Sequence, residues 1–494
     1  MGMVATSQRL ATEVGASILR AGGNAADAAV ACAAALNVTE PCSTGIGGDA
    51  YVLHWDGREV TALNGSGRAP AALSLELVGA RLEPLSPHTV TVPGACAAWF
   101  DLLERHGSMR MADVLAPAIR LAEGGFPVAP ITAHFWARGV PQLRGRELTI
   151  DGRAPRAGET FANPGLARTF RAVAAGRDAY YRGAIAQAIV AVVREAGGVL
   201  AESDLAAHRS TWDTPISAEF RGHRIWECPP NGQGIAALIA LQLYAGFAPS
   251  SGAERWHLLI ESMRLAFADA RAHVADGAKM DWALAPAYAQ RRRALIDRER
   301  AALAARPGSS SDTVYFCVVD DAGRACSFIN SNYMGFGTGL VPRGWGFTLQ
   351  NRGHNFSLDP RHPNALAPNK RPYHTIMPGM ITRPDGSLYG PFGVMGGFMQ
   401  PQGHLQLAVA LLDDGAAPQA ALDRPRFCVG SDGRVYLEEG VPADVVEGLR
   451  ARGHELVPNV GGFERSMFGR GQVIVRTGER LEGGSDPRAD GCVG

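Results

Sequence analysis

The sequence predicts a layered fold of mixed α/β class (α+β in arrangement), and three observations support this prediction. Helical patterns dominate from about residue 95 to residue 306. After Thr313 strands and glycine turns dominate as far as Leu349, and strands with one helix continue from Pro378 onward. The 494 residues provide a large core without an internal repeat or a long linker. A helix-rich first part and a strand-rich second part fit central sheets that draw on both parts.

Two helices are predicted at the start of the chain. They span Thr12–Ala21 and Ala25–Leu36 and are separated by Gly22-Gly23. Asn24 and Asp27 have the spacing of a helix cap and its third position, so Asp27 is interpreted as a capping residue. The second helix is too short to cross a membrane.

A glycine-rich run, Cys42–Asp49, follows these helices. Phosphate binding is a poor interpretation of this run, because no Lys-Ser or Lys-Thr pair follows and no βαβ unit is evident. Crowding of the backbone explains the glycines better. Beyond the run, Ala50–Trp55 and Glu59–Asn64 flank Asp56-Gly57 and predict a β-hairpin.

Apolar residues recur at helical spacing in the middle of the chain, and prolines and glycines interrupt them repeatedly. One further helix is predicted near His404–Leu412, within the strand-rich part. The clearest helices predicted in the middle are Ala95–Arg105, Met111–Ala122, Ile185–Glu195, Gly234–Tyr244 and Glu254–Ala272.

Charge and composition exclude several classes of partner and cofactor. Lys+Arg and Asp+Glu each number 48, so no surface for nucleic acid or another polyanion is expected. Residues 1–9 carry no secretory signal, which favours a cytoplasmic protein without a membrane partner. The eight cysteines show no metal-ligand spacing and are expected to be reduced, so neither a metal nor a cofactor is predicted. Cys317 and Cys326 flank one turn, but a disulfide between them is the less favoured interpretation.

One threonine stands where a loop becomes a hairpin. Small, polar, flexible residues, Ser309–Asp312, precede Thr313, and two strand patterns, Val314–Val319 and Ala325–Ser331, follow it. If the bond before Thr313 is cut, its free α-amine titrates near neutral pH beside its own hydroxyl group and can serve as the base. The alternative for this stretch alone is an ordinary threonine that begins a strand.

Four polar or glycine-rich stretches after this hairpin are candidates for a pocket. Gly396-Gly397 open the helix predicted near His404–Leu412, so two backbone N–H groups there can point at a developing oxyanion. A plain turn is the alternative interpretation of this glycine pair. The four stretches are Phe336–Gly339, Leu349–Phe356, Pro368–Thr375 and Met395–His404.

These stretches resemble the γ-glutamyltranspeptidases and their relatives among the N-terminal-nucleophile hydrolases, over nearly the whole chain. The resemblance implies a four-layer αββα sandwich with an additional, mainly helical part in the N-terminal segment. It also implies a precursor that cuts itself into a large fragment, residues 1–312, and a small fragment, residues 313–494, which stay together as a heterodimer. Pairing of two such heterodimers is left open. The motifs that carry the resemblance are Gly22–Val30, Gly45–Asp49, the strand opened by Thr313, Phe336–Gly339, Asn369–Pro372, Gly396-Gly397 and Ser485–Arg488.

The resemblance assigns roles to individual residues of the reacting machinery. Thr313 would be the nucleophile, and the bond between Asp312 and Thr313 would be the cleavage site. Gly396 and Gly397 would supply the oxyanion N–H groups. Ser331 stands where the family has a threonine that hydrogen-bonds the nucleophile. All parts of this machinery are therefore present in the sequence.

The substrate-binding residues, in contrast, depart from the pattern of the family. Ser66 replaces the arginine that binds the glutamyl α-carboxylate, and Arg68 follows two residues later. Arg352 and Asn355 replace the glutamine and aspartate that hold the α-amine. Tyr333, beside Asn332, replaces a pocket asparagine, and His374-Thr375 replaces a pair of serines. The predicted substrate-binding residues are therefore Arg68, Asn332, Tyr333, Arg352, Asn355, His374 and Thr375.

The family's aspartate, whose carboxylate pairs with the α-ammonium group of the substrate, is absent here, and Arg352 is present instead. Both changes favour a substrate that lacks an α-amine and carries an anionic group. This pattern resembles the branch with oxamate amidohydrolase-like and acylase-like proteins. The predicted function is a self-processing amidohydrolase that cleaves a small acidic amide through an acyl-enzyme on Thr313. A true γ-glutamyltransferase or glutathione hydrolase and a non-catalytic scaffold are the alternatives, although a scaffold would not need Thr313 or the glycine pair. For Arg352 alone, the alternative is a side chain that faces away and pairs with Asp359.

Overall fold

The computed structural model of the chain describes residues 2–249, 252–302, 304–308 and 312–494. Most of the predicted flexible serine run, residues 309–311, lies outside the described residues. The strands are β1 Met3–Thr6, β2 Asp49–Trp55, β3 Val60–Gly65, β4 Phe126–Pro127, β5 Thr160–Phe161, β6 Thr211–Asp213, β7 Ile216–Phe220, β8 His223–Glu227, β9 Val314–Val319, β10 Ala325–Ser331, β11 Gly379–Thr382, β12 Leu388–Met395, β13 Phe427–Val429, β14 Val435–Glu438, β15 Leu456–Val460, β16 Arg470–Thr477, β17 Arg480–Ser485 and β18 Cys492–Val493.

The helices cluster before Thr313, as the sequence predicts. In the part of the chain that the structure describes, none is long and apolar enough to cross a membrane. The helices are α1 Arg9–Arg20, α2 Ala25–Thr39, α3 Leu75–Val78, α4 Ala95–His106, α5 Met111–Gly124, α6 Pro130–Gly139, α7 Pro164–Ala175, α8 Asp178–Tyr181, α9 Ala184–Glu195, α10 Glu202–Ala207, α11 Gly234–Ala245, α12 Gly252–His273, α13 Pro286–Arg293, α14 Met399–Leu412, α15 Pro418–Asp423 and α16 Ala443–Ala451.

Two large sheets form the centre of the molecule. One has seven strands in the order β18-β1-β9-β10-β2-β3-β6, and the other has six in the order β17-β16-β12-β11-β8-β7. Each sheet contains strands from both sides of Thr313, because β9 pairs with β1, β10 pairs with β2, and β11 pairs with β8. The mixed α/β prediction, with central sheets that draw on both parts of the chain, is confirmed.

Strand β9 shows how the layers are built. Val314, Phe316 and Val318 face a core shared with α2, whereas Tyr315 and Cys317 face a second core that lies between the two sheets. A third core joins the outer face of the six-stranded sheet to α11, α12 and α14. Because β9 is covered on both faces, its sequence is continuously apolar instead of alternating.

The alternation of side chains between the two faces of a strand also explains why Cys317 and Cys326 do not form a disulfide. Cys317 lies in the core between the sheets, and Cys326 lies in the core on the helix side of the same sheet. Both cysteines are buried and free. Side chains on opposite faces of a sheet cannot approach each other closely enough for a disulfide.

The predicted cap of α2 is confirmed. Oδ1 of Asn24 accepts hydrogen bonds from the backbone N–H groups of Ala26 at 2.8 Å and Asp27 at 3.2 Å. In return, Oδ2 of Asp27 accepts the N–H of Asn24 at 2.8 Å. This reciprocal pair satisfies donors at the start of a helix whose residues are all buried.

Crowding explains the glycine run before β2, as predicted. A Cβ atom at Gly47 would overlap the carbonyl oxygen of Thr348, and one at Gly48 would overlap the carbonyl oxygen of Ser331. The glycines therefore allow the loop before β2 to pack directly against two segments of the second half of the chain. Ser331 is the residue that the sequence predicts to contact the nucleophile, so this packing also fixes one wall of the candidate site.

Replacing Gly47 by alanine should destabilise the protein. Overpacking against a fixed backbone atom costs about 1–3 kcal/mol of unfolding free energy, which urea unfolding followed by circular dichroism can measure. Gly124→Ala is the matched control, because Gly124 lies at the end of α5 with no atom near the added methyl group. The control should be neutral or stabilising by up to about 1 kcal/mol. Equal stability of the two variants would refute the crowding explanation.

Candidate active site

The predicted nucleophile and its predicted partner lie side by side at the start of one hairpin. Thr313 immediately precedes β9 and is fully buried. Asn330 pairs with Val314 in the β9–β10 hairpin, so Ser331, the last residue of β10, lies opposite Thr313. Oγ1 of Thr313 is 3.0 Å from Oγ of Ser331. The hairpin that the sequence predicts therefore brings the two hydroxyl groups together.

Both hydroxyl groups also lie against the carbonyl group that precedes Thr313. Oγ1 of Thr313 lies 2.6 Å from the carbonyl oxygen of Asp312, and Oγ of Ser331 lies 3.2 Å from the same oxygen. The Ser331 oxygen accepts hydrogen bonds from the N–H of Tyr333 at 2.8 Å and from Nη2 of Arg352 at 3.3 Å. Because both lone pairs are then used, the proton of Ser331 is directed to Thr313 or to the carbonyl oxygen.

Arg352 is fully buried beside the hydroxyl pair. Its Nη1 donates to Oγ1 of Thr375 at 2.6 Å, and the ring centre of Tyr333 lies 4.3 Å from its guanidinium carbon, a cation–π distance. Burial lowers the pKa of Arg352, whereas the carboxylate of Asp49, 3.7 Å from Nε, acts in the opposite direction. The alternative that Arg352 faces away is wrong, because Asp359 lies on the surface and pairs with a neighbouring arginine.

Asp49 is a site residue that the sequence analysis missed. Its fully buried carboxylate accepts hydrogen bonds from the N–H of Gly67 at 3.1 Å and from Nε2 of His374 at 3.0 Å. Burial and the charge of Arg352 lower the pKa of His374 to about 4, so the imidazole is neutral at neutral pH. Asp49 therefore supplies the counter-charge for Arg352. Its signal in the sequence is a lone acid that closes the run Gly45–Asp49 before an apolar strand.

Tyr333 holds the predicted pocket residues in one arrangement. Its backbone has a φ of 78°, which is unusual for a residue with a side chain, and its N–H binds Ser331. Its hydroxyl group donates to Oδ1 of Asn355 at 2.6 Å. Burial raises the pKa of Tyr333 to about 12, so the hydroxyl group keeps its proton. Strained backbone of this kind persists only where surrounding contacts hold it, and it concentrates at functional sites.

The glycine pair lies between a strand and a helix, as predicted. Gly396 and Gly397 connect β12 to α14 with φ values of 132° and 58°, which favour glycine. Nε2 of Gln233 donates to the carbonyl oxygens of Thr375 at 2.7 Å and of Gly397 at 2.9 Å. These bonds join the glycine pair to Thr375, whose hydroxyl group binds Arg352. The oxyanion role of the pair stays a prediction.

Two predicted substrate-binding residues make their contacts elsewhere. Nη1 of Arg68 pairs with Asp276 at 2.8 Å, and 44% of its side chain is exposed. Nδ2 of Asn332 donates to Oγ1 of Thr348 at 3.0 Å, within the wall formed by the glycine run. The structure therefore does not bring Arg68 or Asn332 to the hydroxyl pair. The serine in place of the family arginine, Ser66, is also buried and donates to a neighbouring asparagine.

A buried arginine links the residue before the predicted cleavage site to β16. Nη1 of Arg470 pairs with Glu40 at 2.9 Å, and Nη2 lies 3.8 Å from Oδ1 of Asp312. Oε2 of Glu40 accepts a further hydrogen bond from Oγ of Ser7 at 2.7 Å. Arg470 therefore lies beside the side-chain carboxyl group of Asp312, and the sequence analysis did not predict this contact. Among the described residues, no cluster of His, Cys, Asp and Glu side chains could hold a metal ion.

The chain is similar to proteins of one family along its whole length. Residues 11–494 match the family described as Gamma-glutamyltranspeptidase. A glutathione hydrolase-like proenzyme of Bacillus subtilis is 35% identical, across 99% of this chain and 98% of its own. The oxamate amidohydrolase proenzyme of Klebsiella pneumoniae is 33% identical, across 100% of this chain and 98% of its own.

Solved structures agree with these relatives. The crystal structure of cephalosporin acylase from Bacillus halodurans has a TM-score of 0.93 and 46% identity, covering 100% of this chain and 95% of that chain. The resemblance seen in the sequence is confirmed, and the chain is an enzyme of the gamma-glutamyltranspeptidase family.

Proposed function

We propose that the protein is a self-processing amidohydrolase that cleaves amides of acidic acyl groups through an acyl-enzyme on Thr313. One observation carries the proposal: the hydroxyl groups of Thr313 and Ser331 both lie against the carbonyl oxygen of Asp312, beside the buried cation Arg352. The names of the relatives, which include acylases, an oxamate amidohydrolase and glutathione hydrolases, agree with amide cleavage but differ in substrate.

Self-processing would proceed by an N-to-O shift at the bond before Thr313. Oγ1 of Thr313 attacks the carbonyl carbon of Asp312, the C–N bond breaks, and the acyl group becomes an ester on Oγ1. Water then opens the ester, which leaves a carboxylate on Asp312 and a free α-amine on Thr313. The products would be a large fragment, residues 1–312, and a small fragment, residues 313–494. The β1–β9, β2–β10 and β8–β11 pairs support a heterodimer that stays together, in a four-layer arrangement of the N-terminal-nucleophile type.

Turnover would use the same hydroxyl group. The α-amine of Thr313 accepts the proton of Oγ1 as this oxygen attacks the amide carbonyl of the substrate. The N–H groups of Gly396 and Gly397 stabilise the oxyanion, and Ser331 orients Oγ1. The amine product leaves with a proton, and water hydrolyses the acyl-enzyme. Purified protein should therefore release ammonia or an amine from a panel of small amides, and no release from any of them would contradict the proposal.

Arg352 is the proposed determinant of specificity beside the nucleophile. It uses one N–H group on Thr375 and one on Ser331, and its Nε faces Asp49, so two of its five N–H groups have no partner among the described residues. Two such groups suit a carboxylate close to the scissile amide. An α-ammonium group, in contrast, would meet Arg352 and Asn355 in place of a carboxylate.

We therefore expect γ-glutamyl-p-nitroanilide to be a poor substrate. An ammonium group facing a buried guanidinium costs several kcal/mol before relaxation, and a loss of about 3 kcal/mol lowers kcat/KM about a hundredfold. The measurement compares kcat/KM for this compound with that for the best small acidic amide. Equal values would refute the specificity argument.

The variant Arg352→Gln then tests the anchor itself. We expect it to raise KM for acidic amides and to leave KM for neutral amides nearly unchanged. An equal rise for both classes would show that Arg352 is not the carboxylate anchor.

The proposed cellular location is the cytoplasm. The eight unpaired cysteines support a reducing compartment of this kind.

A further inference from the structure

One buried side chain connects two parts of the candidate site that lie on different segments of the chain. Gln233 immediately precedes α11 and is fully buried. Its Nε2 donates to the carbonyl oxygens of Thr375 at 2.7 Å and of Gly397 at 2.9 Å. Thr375 accepts a hydrogen bond from Arg352 through its hydroxyl group, and Gly397 belongs to the glycine pair. One amide group therefore joins the residue that contacts the buried cation to the predicted oxyanion donors.

The side-chain amide of Gln233 uses both of its donors and its acceptor. Nε2 gives its two N–H groups to the two carbonyl oxygens, and Oε1 accepts the hydroxyl group of Tyr373 at 3.1 Å. The backbone N–H of Gln233 donates to the carbonyl oxygen of His374 at 3.0 Å. Gln233 thus contacts three consecutive residues of the pocket stretch, Tyr373, His374 and Thr375. These contacts fix the amide group in one orientation.

The helix that carries Gln233 is firmly packed. All residues of α11 from Gly234 to Leu241 are buried. They belong to the core that joins this helix to α12, α14 and the outer face of the six-stranded sheet. Because protein interiors are close-packed, a side chain at the start of such a helix has little room to move. Gln233 therefore provides a fixed point to which more flexible backbone can be attached.

The glycine pair is the flexible backbone in this arrangement. Gly396 and Gly397 have no side chain through which packing could hold their peptide planes. The carbonyl oxygen of Gly397 accepts a second hydrogen bond, from the N–H of Gln400 in α14, at 3.2 Å. The bond from Gln233 is the shorter of the two, at 2.9 Å. Its loss would leave the directions of the glycine N–H groups less well fixed.

We propose that Gln233 is a positioning residue for turnover, which holds the N–H groups of the glycine pair at a fixed place relative to Arg352. The inference rests on the proposed function and extends it. Gln233 acts through Gly397 and Thr375, and its side chain makes no hydrogen bond to the Thr313–Ser331 hydroxyl pair among the described residues. A substrate held by its carboxylate on Arg352 then presents its amide carbonyl to donors that are already aligned. Small misplacements of such groups lower turnover strongly.

The variant Gln233→Met keeps the length of the side chain and removes all three hydrogen bonds of the amide. We expect kcat for the best amide to fall about tenfold, less than for loss of a donor, because the donors remain but are less well aligned. KM should stay nearly unchanged, since the oxyanion forms only in the transition state. The measurements are amine release per mole of cleaved protein and the unfolding free energy of the same preparation.

Gln406→Met is the matched control. Nε2 of Gln406, on α14, also donates to two backbone carbonyl oxygens, of Gln402 at 3.0 Å and of Phe427 at 3.1 Å. Neither carbonyl group belongs to the candidate site. Both methionine variants should lose stability, and only Gln233→Met should lose turnover.

The variant Gln233→Glu gives a readout that a merely structural role would not move. An ionised glutamate presents only acceptors to the carbonyl oxygens of Thr375 and Gly397, whereas a protonated glutamate donates one hydrogen bond again. Burial raises the pKa of such a carboxyl group. The ratio of its kcat to that of the wild type should therefore rise as the pH falls from about 9 to about 6. For Gln406→Glu this ratio should stay constant.

Near wild-type turnover in Gln233→Met, an equal loss in Gln406→Met, or a constant ratio in Gln233→Glu would overturn the inference and leave the proposed function intact. If Gln233→Met does not fold, the pH profile of Gln233→Glu provides the test. A wild type that cleaves no amide would refute the proposed function, and this inference with it.

Discussion

The variant Thr313→Ala will remain a single chain and will have no amidase activity. The substitution removes the hydroxyl oxygen that forms the ester in self-processing, and it leaves the α-amine of the residue locked in a peptide bond. Gel electrophoresis should show two fragments for the wild type and one band for the variant. N-terminal sequencing of the small wild-type fragment should begin Thr-Val-Tyr-Phe.

Thr313→Ser is the matched control, because it keeps the hydroxyl group and the future α-amine while it removes one methyl group. We expect it to cleave itself and to retain measurable turnover. Ser331→Ala should cleave more slowly, since Oγ of Ser331 contacts both Oγ1 of Thr313 and the carbonyl oxygen of Asp312. Persistent cleavage in Thr313→Ala, or an uncut chain with full activity, would refute the mechanism.

The second large effect is expected for Gly397→Val. Loss of one oxyanion donor lowers kcat on the order of 10²–10³-fold. A valine at this position moves the N–H group and crowds the carbonyl of the substrate. It also places a branched side chain at a φ of 58°, which costs about 1–2 kcal/mol of stability by itself. The measurements are kcat for the best amide and the unfolding free energy of the same preparation.

Gly462→Val separates these two effects. Gly462 has a φ of 60°, nearly the same as Gly397, but it is exposed and an added Cβ atom has no neighbour within 4 Å. Both valine variants should lose similar stability, and only Gly397→Val should lose turnover. Near wild-type turnover in Gly397→Val would count against the oxyanion assignment, and an equal loss in both variants would show that strain alone is the cause.

Local patterns were sufficient wherever a short stretch of chain carries its own structural signal. The hairpin after Thr313 follows from two adjacent strand patterns and a turn, and the resemblance to the family placed Ser331 beside Thr313. The cap formed by Asn24 and Asp27 depends on residues only three positions apart. Glycines in the run before β2 signalled close packing, although their partners, Thr348 and Ser331, could not be deduced.

The pairing of the charged residues could not be predicted in the same way, although Arg352 and His374 were predicted to bind substrate. Asp49, Arg352 and His374 come from three distant segments, and each forms its main contacts across the fold. A buried charge is stable only when a counter-charge lies beside it, and that partner is set by how the sheets pack, not by neighbours in the chain. The same reason explains Arg68, which was predicted to bind substrate because it follows Ser66 by two residues, but which pairs with Asp276.

The sequence alone therefore determined the mixed α/β class through local periodicity and the family through contiguous motifs, and the resemblance to that family indicated the contact between Thr313 and Ser331. Only the tertiary structure decided which charges meet. It buried Arg352 against Asp49 and paired Arg68 with Asp276. The physical reason is that electrostatic pairing depends on distance in space and on burial, and neither quantity is encoded in the spacing of residues along one segment.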